Sequence, residues 1–188
     1  MNISEGGVIR CDYEARRQFT EMNLSEQAKR LWTTPNAGGN SVESEVLSFE
    51  LLKRCFRACL LKTEMEVIYF PYGGSITDYT CQMFQTKLGV SVTRAMKFKG
   101  HYEMEDAEKL LRKKLKGVNM ASSNSLEGWS KQILHVWAAS SHIADTVAEA
   151  YHRLPTDVAS NTVVLITTAS RQSTLFSNTV TDSTRGRA

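Results

Sequence analysis

Val90-Ser91-Val92-Thr93-Arg94-Ala95-Met96-Lys97-Phe98 is the stretch on which the fold turns. Val90, Val92 and Met96 alternate with Ser91, Thr93, Ala95 and Lys97, the two-residue period of a strand with one apolar side. Arg94 interrupts that apolar side and needs an acidic or phosphate partner if it is buried. Upstream, a strand is expected over residues 75–83, with Ile76, Asp78 and Thr80 on one face and Thr77, Tyr79 and Cys81 on the other. A further strand is expected over 63–70. Pro71-Tyr72-Gly73-Gly74 joins the two, its glycines supplying the positive φ that tight hairpins use. Three consecutive strands thus read as a meander.

The meander is bracketed by helical patterns. Val42, Val46, Phe49, Leu52, Phe56 and Leu60 recur at helical spacing, with Leu51, Cys55 and Cys59 widening the stripe. Asn40 followed by Glu43 forms a capping-box start. Glu45, one turn before Phe49, falls at the edge of the apolar face. After the meander, residues 104–115 are acidic at the start and basic at the end, which complements the helix macrodipole, and Gly117 reads as a terminator. Residues 132–138 are mostly apolar, as a central strand requires. A third helix is expected over 143–154, closed by Pro155, and a short buried strand over 161–168.

The flanks read differently. Residues 1–39 form an N-terminal extension with a helical stretch over 13–31 and a breaker over 33–39, expected to pack loosely. Residues 40–169 are the α/β domain. Residues 170–188 are Ser/Thr-rich and read as a disordered tail.

The chain of 188 residues is long enough for one domain with a sizeable core, and 41% hydrophobic with 23% charged residues is a globular composition. The net charge of +3 implies no partner by itself. Its distribution does: residues 87–116 hold nine Lys/Arg against four acids, a segment able to attract phosphate or to be a solvated helix face. Cys11, Cys55, Cys59 and Cys81 form no CxxC pair and read as buried thiols of a reduced compartment; with His101, His135, His142 and His152 they offer no tight zinc spacing. The N-terminus has no secretory pattern and no apolar run approaches 18 residues, so a cytoplasmic or nuclear protein with no membrane partner is expected. A Ser91–His135–Asp78 triad lacks a nucleophile elbow, and no GxxxxGK[ST] phosphate loop occurs. Phe98 and Tyr102, beside the basic segment, are either base-stacking or core residues.

The order helix, three-strand meander, helix, strand, helix, strand, with Glu45 on the first helix and Asp78 on the second strand, resembles the core of the PD-(D/E)xK phosphodiesterases, the restriction-endonuclease-like fold. That resemblance implies a central mixed sheet flanked by helices. It also implies metal ligation by Glu45 and Asp78, with Mg²⁺ as the metal and nucleic acid as the partner. The family's third strand carries acid-x-lysine, and the matching positions here are Ser91 and Thr93. Serine is a poor ligand and threonine carries no charge. Lys97 lies on the same face but about 13 Å further along at ~3.3 Å per residue. The resemblance thus makes Asp78, Ser91, Thr93 and Lys97 the expected catalytic positions of a degenerate or atypical metal-dependent phosphodiesterase, with Lys97 as the candidate cation. Glu64 or Glu66 is the candidate migrated ligand. The alternative is a non-enzymatic intracellular domain that binds a protein or RNA through its basic helix.

Overall fold

A computed structural model describes residues 6–37, 41–129, 131–159, 161–169 and 173–176. Among the described residues six strands form one sheet: β1 (Gly7–Asp12), β2 (Cys59–Thr63), β3 (Tyr79–Met83), β4 (Thr86–Ala95), β5 (Lys131–Ala138) and β6 (Thr162–Thr168), in the order β1-β6-β5-β4-β3-β2. β2, β3 and β4 are antiparallel neighbours, whereas β4, β5, β6 and β1 run parallel. The helices are α1 (Glu26–Thr33), α2 (Val42–Phe56), α3 (Met104–Asn124), α4 (Ser141–His152) and the short α5 (Thr156–Ala159) and α6 (Ser173–Phe176). The sheet is therefore mixed and helix-flanked, with the expected element order from α2 to β6.

Alternation along the strands divides the core into two layers. Tyr79, Val90, Val92, Ile133, Trp137 and Leu165 pack with α1 and α2. Ala95, Leu134, Val136, Val164 and Ile166 point the other way and pack with α3 and α4. Burial of apolar side chains on both faces explains why the parallel strands are nearly continuous apolar runs.

Several boundaries differ from the sequence reading, each for a local reason. α2 stops at Phe56 because Arg57 takes the left-handed conformation and the Arg57 and Ala58 N–H groups bond back to Lys53 and Leu52 carbonyls. Cys59 accordingly belongs to β2 and not to the helix. Asn40 lies outside the described residues; Ser41 stands at the helix start. The first meander strand is Cys59–Thr63 and not 63–70, because Glu66 accepts from the Thr63 N–H at 2.8 Å and turns the chain into one turn of 3-10 helix, Glu64–Glu66. Pro71–Gly74 is consequently inside a long β2–β3 loop. The tight hairpin joins β3 to β4 instead, through Phe84 and Gln85, both at positive φ.

α3 runs through Gly117 to Asn124. A Cβ at position 117 would lie 3.0 Å from Ser75 Oγ, so glycine there admits the β2–β3 loop against the helix. The expected helix over 13–31 is only a 3-10 turn, Phe19–Glu21, and α1, which Ser25 caps by accepting from the Ala28 N–H. Residues 6–37, the described part of that extension, do not pack loosely: β1 is hydrogen-bonded to β6, and Phe19, Ala28 and Leu31 join the core. In the expected tail, Leu175 of α6 is buried; residues 170–172 and 177–188 lie outside the described residues. All four cysteines are free, and Cys55 and Cys59 are exposed, contrary to the expectation of buried thiols. Among the described residues, no helix is long and apolar enough to cross a membrane.

Candidate functional site

β4 outruns its antiparallel partner. The β3–β4 register ends at Tyr79 opposite Val90, so beyond it β4 faces the end of the β2–β3 loop. Asp78 sits at this opening, one residue before β3. Its backbone N–H donates to the Val90 carbonyl, and its carboxylate accepts from the Val92 N–H at 2.6 Å. The side chain thus takes the place of a ladder carbonyl where the ladder runs out.

Glu45 approaches from α2. It is 8% exposed and accepts from the Ser41 hydroxyl at 2.5 Å. Asp78 keeps some exposed surface as a residue, yet burial of its carboxylate, then the charge of Glu45, push it up to about 8; the Val92 N–H and Lys114 oppose that rise. Glu45 is raised as well, first by burial and also by Glu64, against the Ser41 hydroxyl, Lys114 and Arg94. Two carboxylates that share a desolvated opening cannot both ionise without cost, so protons are held more tightly there or a cation is accepted.

The other predicted positions separate into two groups. Ser91 is buried and Thr93 half-buried. Both pair with β5 residues of the α3–α4 layer, Leu134 and Val136, and so keep the strand positions expected of them. Lys97 is not brought to the site. β4 ends at Ala95, and Lys97 lies in the following loop, paired with Asp106 at 2.7 Å. Glu66 is committed to a two-oxygen pairing with Arg30 at 2.6 and 2.7 Å. Glu64, whose carboxylate accepts from the Ala37 N–H, is the one of the two expected migrated acids whose charge raises both Asp78 and Glu45. Arg94 donates to the Leu175 carbonyl and contributes its charge to Glu45.

Sequence reasoning missed Lys114. It is half-buried on α3 and acts on Glu45 and Asp78 together. Its signal was present: Leu111, Leu115 and Val118 define the buried stripe of α3, and Lys114 lies beside that stripe whereas Arg112, Lys113 and Lys116 lie away from it.

His135 is elsewhere. Its Nδ1 is 2.7 Å from Ser48 Oγ and its Nε2 2.8 Å from Thr167 Oγ1, and Ser48 continues to Tyr79 Oη at 2.8 Å. Thr167 in turn meets Cys11 Sγ at 3.1 Å. Complete burial brings the imidazole down to about 3, so it is neutral. His135 lies opposite Val92 in the sheet, on the face away from Ser91, and both ring nitrogens are occupied. No Ser91–His135–Asp78 triad forms. Tyr102 is a core residue, while Phe98 is exposed.

Among the described residues, no group of three or more His, Cys, Asp and Glu side chains is gathered to hold a metal ion. The chemistry of the site is therefore that of a carboxylate pair with a neighbouring lysine.

No protein-family model matches the chain, and no solved structure matches it. The chain is 42% identical over 165 residues to the AAC-rich mRNA clone AAC4 protein of Dictyostelium discoideum. The match covers 84% of this chain and 24% of that protein, so the chain spans about a quarter of the length of the curated relative it matches.

Proposed function

We propose that this chain is a nuclease-like domain of restriction-endonuclease-like architecture, an atypical metal-dependent phosphodiesterase that binds nucleic acid. The observation that carries the reading is the convergence of Glu45 and Asp78, from α2 and the start of β3, on one desolvated opening beside Lys114. The order α2, β2–β3–β4, α3, β5 and the parallel pairing of β5 with β4 support the architecture.

The donor set suits Mg²⁺. This ion takes hard oxygen ligands, keeps several waters, and is commonly held by one or two carboxylates plus substrate phosphate. Glu45 and Asp78 would hold it, and its charge would replace the proton that their mutual repulsion retains. When bound, such a cation polarises a phosphoryl oxygen and makes a coordinated water more acidic. Lys114, whose charge acts on both carboxylates, would supply the positive charge that Thr93 lacks and meet a phosphate held between them. Ser91 contributes only a neutral hydroxyl.

The test is cleavage of labelled DNA and RNA with Mg²⁺ or Mn²⁺, by the wild type and by Asp78→Ala. Metal-dependent cleavage is expected to fall by about a thousandfold or more in the variant, the loss of several kcal/mol of charge stabilisation. A metal response that survives the substitution contradicts the reading. The second reading, a non-enzymatic domain binding protein or RNA through α3, is favoured by the neutral Ser91 and Thr93. It predicts salt-sensitive binding with no metal response.

A further inference from the structure

The β2–β3 loop runs outward from the site along α3. Tyr69 turns inward, its hydroxyl accepting from the Thr77 N–H at 2.8 Å, which closes the base of the loop next to Asp78. Backbone bonds then pin the loop to the end of α3: Phe70 N–H donates to the Asn124 carbonyl at 2.8 Å, and Leu126 N–H to the Ile68 carbonyl at 2.9 Å. Gly74, at φ 93, passes so close to the helix that a Cβ there would lie 3.0 Å from Met120 Sδ.

This fixed backbone holds its large apolar side chains outward. Ile68 is 57% exposed, Phe70 74%, Tyr72 96%, Leu126 66% and Met120 39%. Such a ridge loses solvation free energy in an isolated protein, and apolar patches of this kind mark binding surfaces. Its neighbour is basic. Lys109, Lys113 and Lys116 are exposed on the preceding turns of α3, and Lys114 is only about 9 Å of helix before Met120. A strand lying along α3 therefore meets cations beside the carboxylates and ring faces beyond them, toward the end of the helix. Phosphates fit the first and unpaired bases the second. A duplex offers the same phosphates but keeps its base faces stacked.

We infer that Phe70 and Tyr72 form a base-stacking rim that selects single-stranded nucleic acid for the Glu45–Asp78 site. The inference rests on the nuclease-like reading above and adds the substrate class. The test is fluorescence anisotropy in EDTA and low salt, with a fluorescein-labelled oligothymidine and a duplex of the same length. The wild type is compared with the double variant Phe70→Ala/Tyr72→Ala.

Single strand is expected to bind about tenfold or more tightly than duplex. The double variant should lose about tenfold or more of the single-strand affinity, with duplex affinity within about twofold. Unchanged single-strand affinity in the variant, with metal-dependent cleavage intact, overturns the inference and leaves the proposed function standing. So does a wild-type dimer that the variant converts to monomer by light scattering, which assigns the ridge to self-association. Absence of binding to either nucleic acid, together with no metal response, overturns both.

Discussion

Two polar groups are buried in the same sheet, and they are treated in opposite ways. Around His135 every ring nitrogen has a partner, and the chain Tyr79–Ser48–His135–Thr167–Cys11 links β3, α2, β5, β6 and β1 without a net charge. Around Asp78 the nearest strong influences are burial and another carboxylate, offset by one backbone N–H and a lysine. The first arrangement is complete as it stands and serves the fold. The second is unbalanced until a proton or a cation enters, and groups perturbed in this way cluster at functional sites.

Substitutions at the two centres should therefore have opposite effects on stability. His135→Ala removes a fully buried ring and one of the two partners of each of the Ser48 and Thr167 hydroxyls; a loss of about 3 kcal/mol or more is expected in chemical denaturation. Asp78→Asn keeps the shape and the Val92 bond while removing a charge. In metal-free buffer near pH 8 the variant should be at least as stable as the wild type. A marked destabilisation by Asp78→Asn would place Asp78 with His135 among purely structural groups.

The pH dependence sharpens the same contrast. His135, at about 3 in the fold against an ordinary 6.5, contributes stability that is present above 6.5 and lost as pH falls toward 3. Asp78, raised from 3.8 to about 8, acts in the reverse sense: its protonated form is favoured in the fold, and stability is lost as pH rises from about 4 through 8. The two slopes oppose each other between about 4 and 6.5. Above 6.5 the Asp78 slope remains, at most about 1.4 kcal/mol per pH unit. Metal-free stability should fall between pH 6.5 and 8, and Asp78→Asn should flatten that fall. A smaller effect is expected at Lys114: Lys114→Met should reduce metal-dependent cleavage by about tenfold or more, corresponding to at least ~1.4 kcal/mol, and raise the pKa values of Asp78 and Glu45 further. Unaltered cleavage would remove Lys114 from the site.

The sequence carried the fold better than the site. Apolar periods of 3.6 and 2 marked α2 and β4, continuous apolar runs marked β5 and β6, and the charges at the two ends of α3 and Pro155 after α4 marked those helices. β1 was missed because an edge strand such as Gly7–Asp12, with Arg10 exposed, has little apolar alternation to reveal it. β2 was misplaced because Thr63 and Glu66 form a local turn start that overrides the alternation downstream. At the site, Glu45 and Asp78 were legible as carboxylates beside apolar patterns. Lys97 lies two residues beyond the end of β4 and pairs with Asp106, because strand length as well as face decides where a side chain reaches. Lys114 lies 36 residues beyond Asp78, a separation that only tertiary packing closes.

The most direct measurement is thermal unfolding with and without Mg²⁺ or Mn²⁺ across pH 6 to 9, for the wild type and Asp78→Asn. A proton and a metal compete for the same carboxylate pair. Metal stabilisation is expected to grow as pH rises through about 8 and to vanish in the variant. Stabilisation that is independent of pH, or unchanged by Asp78→Asn, would contradict it.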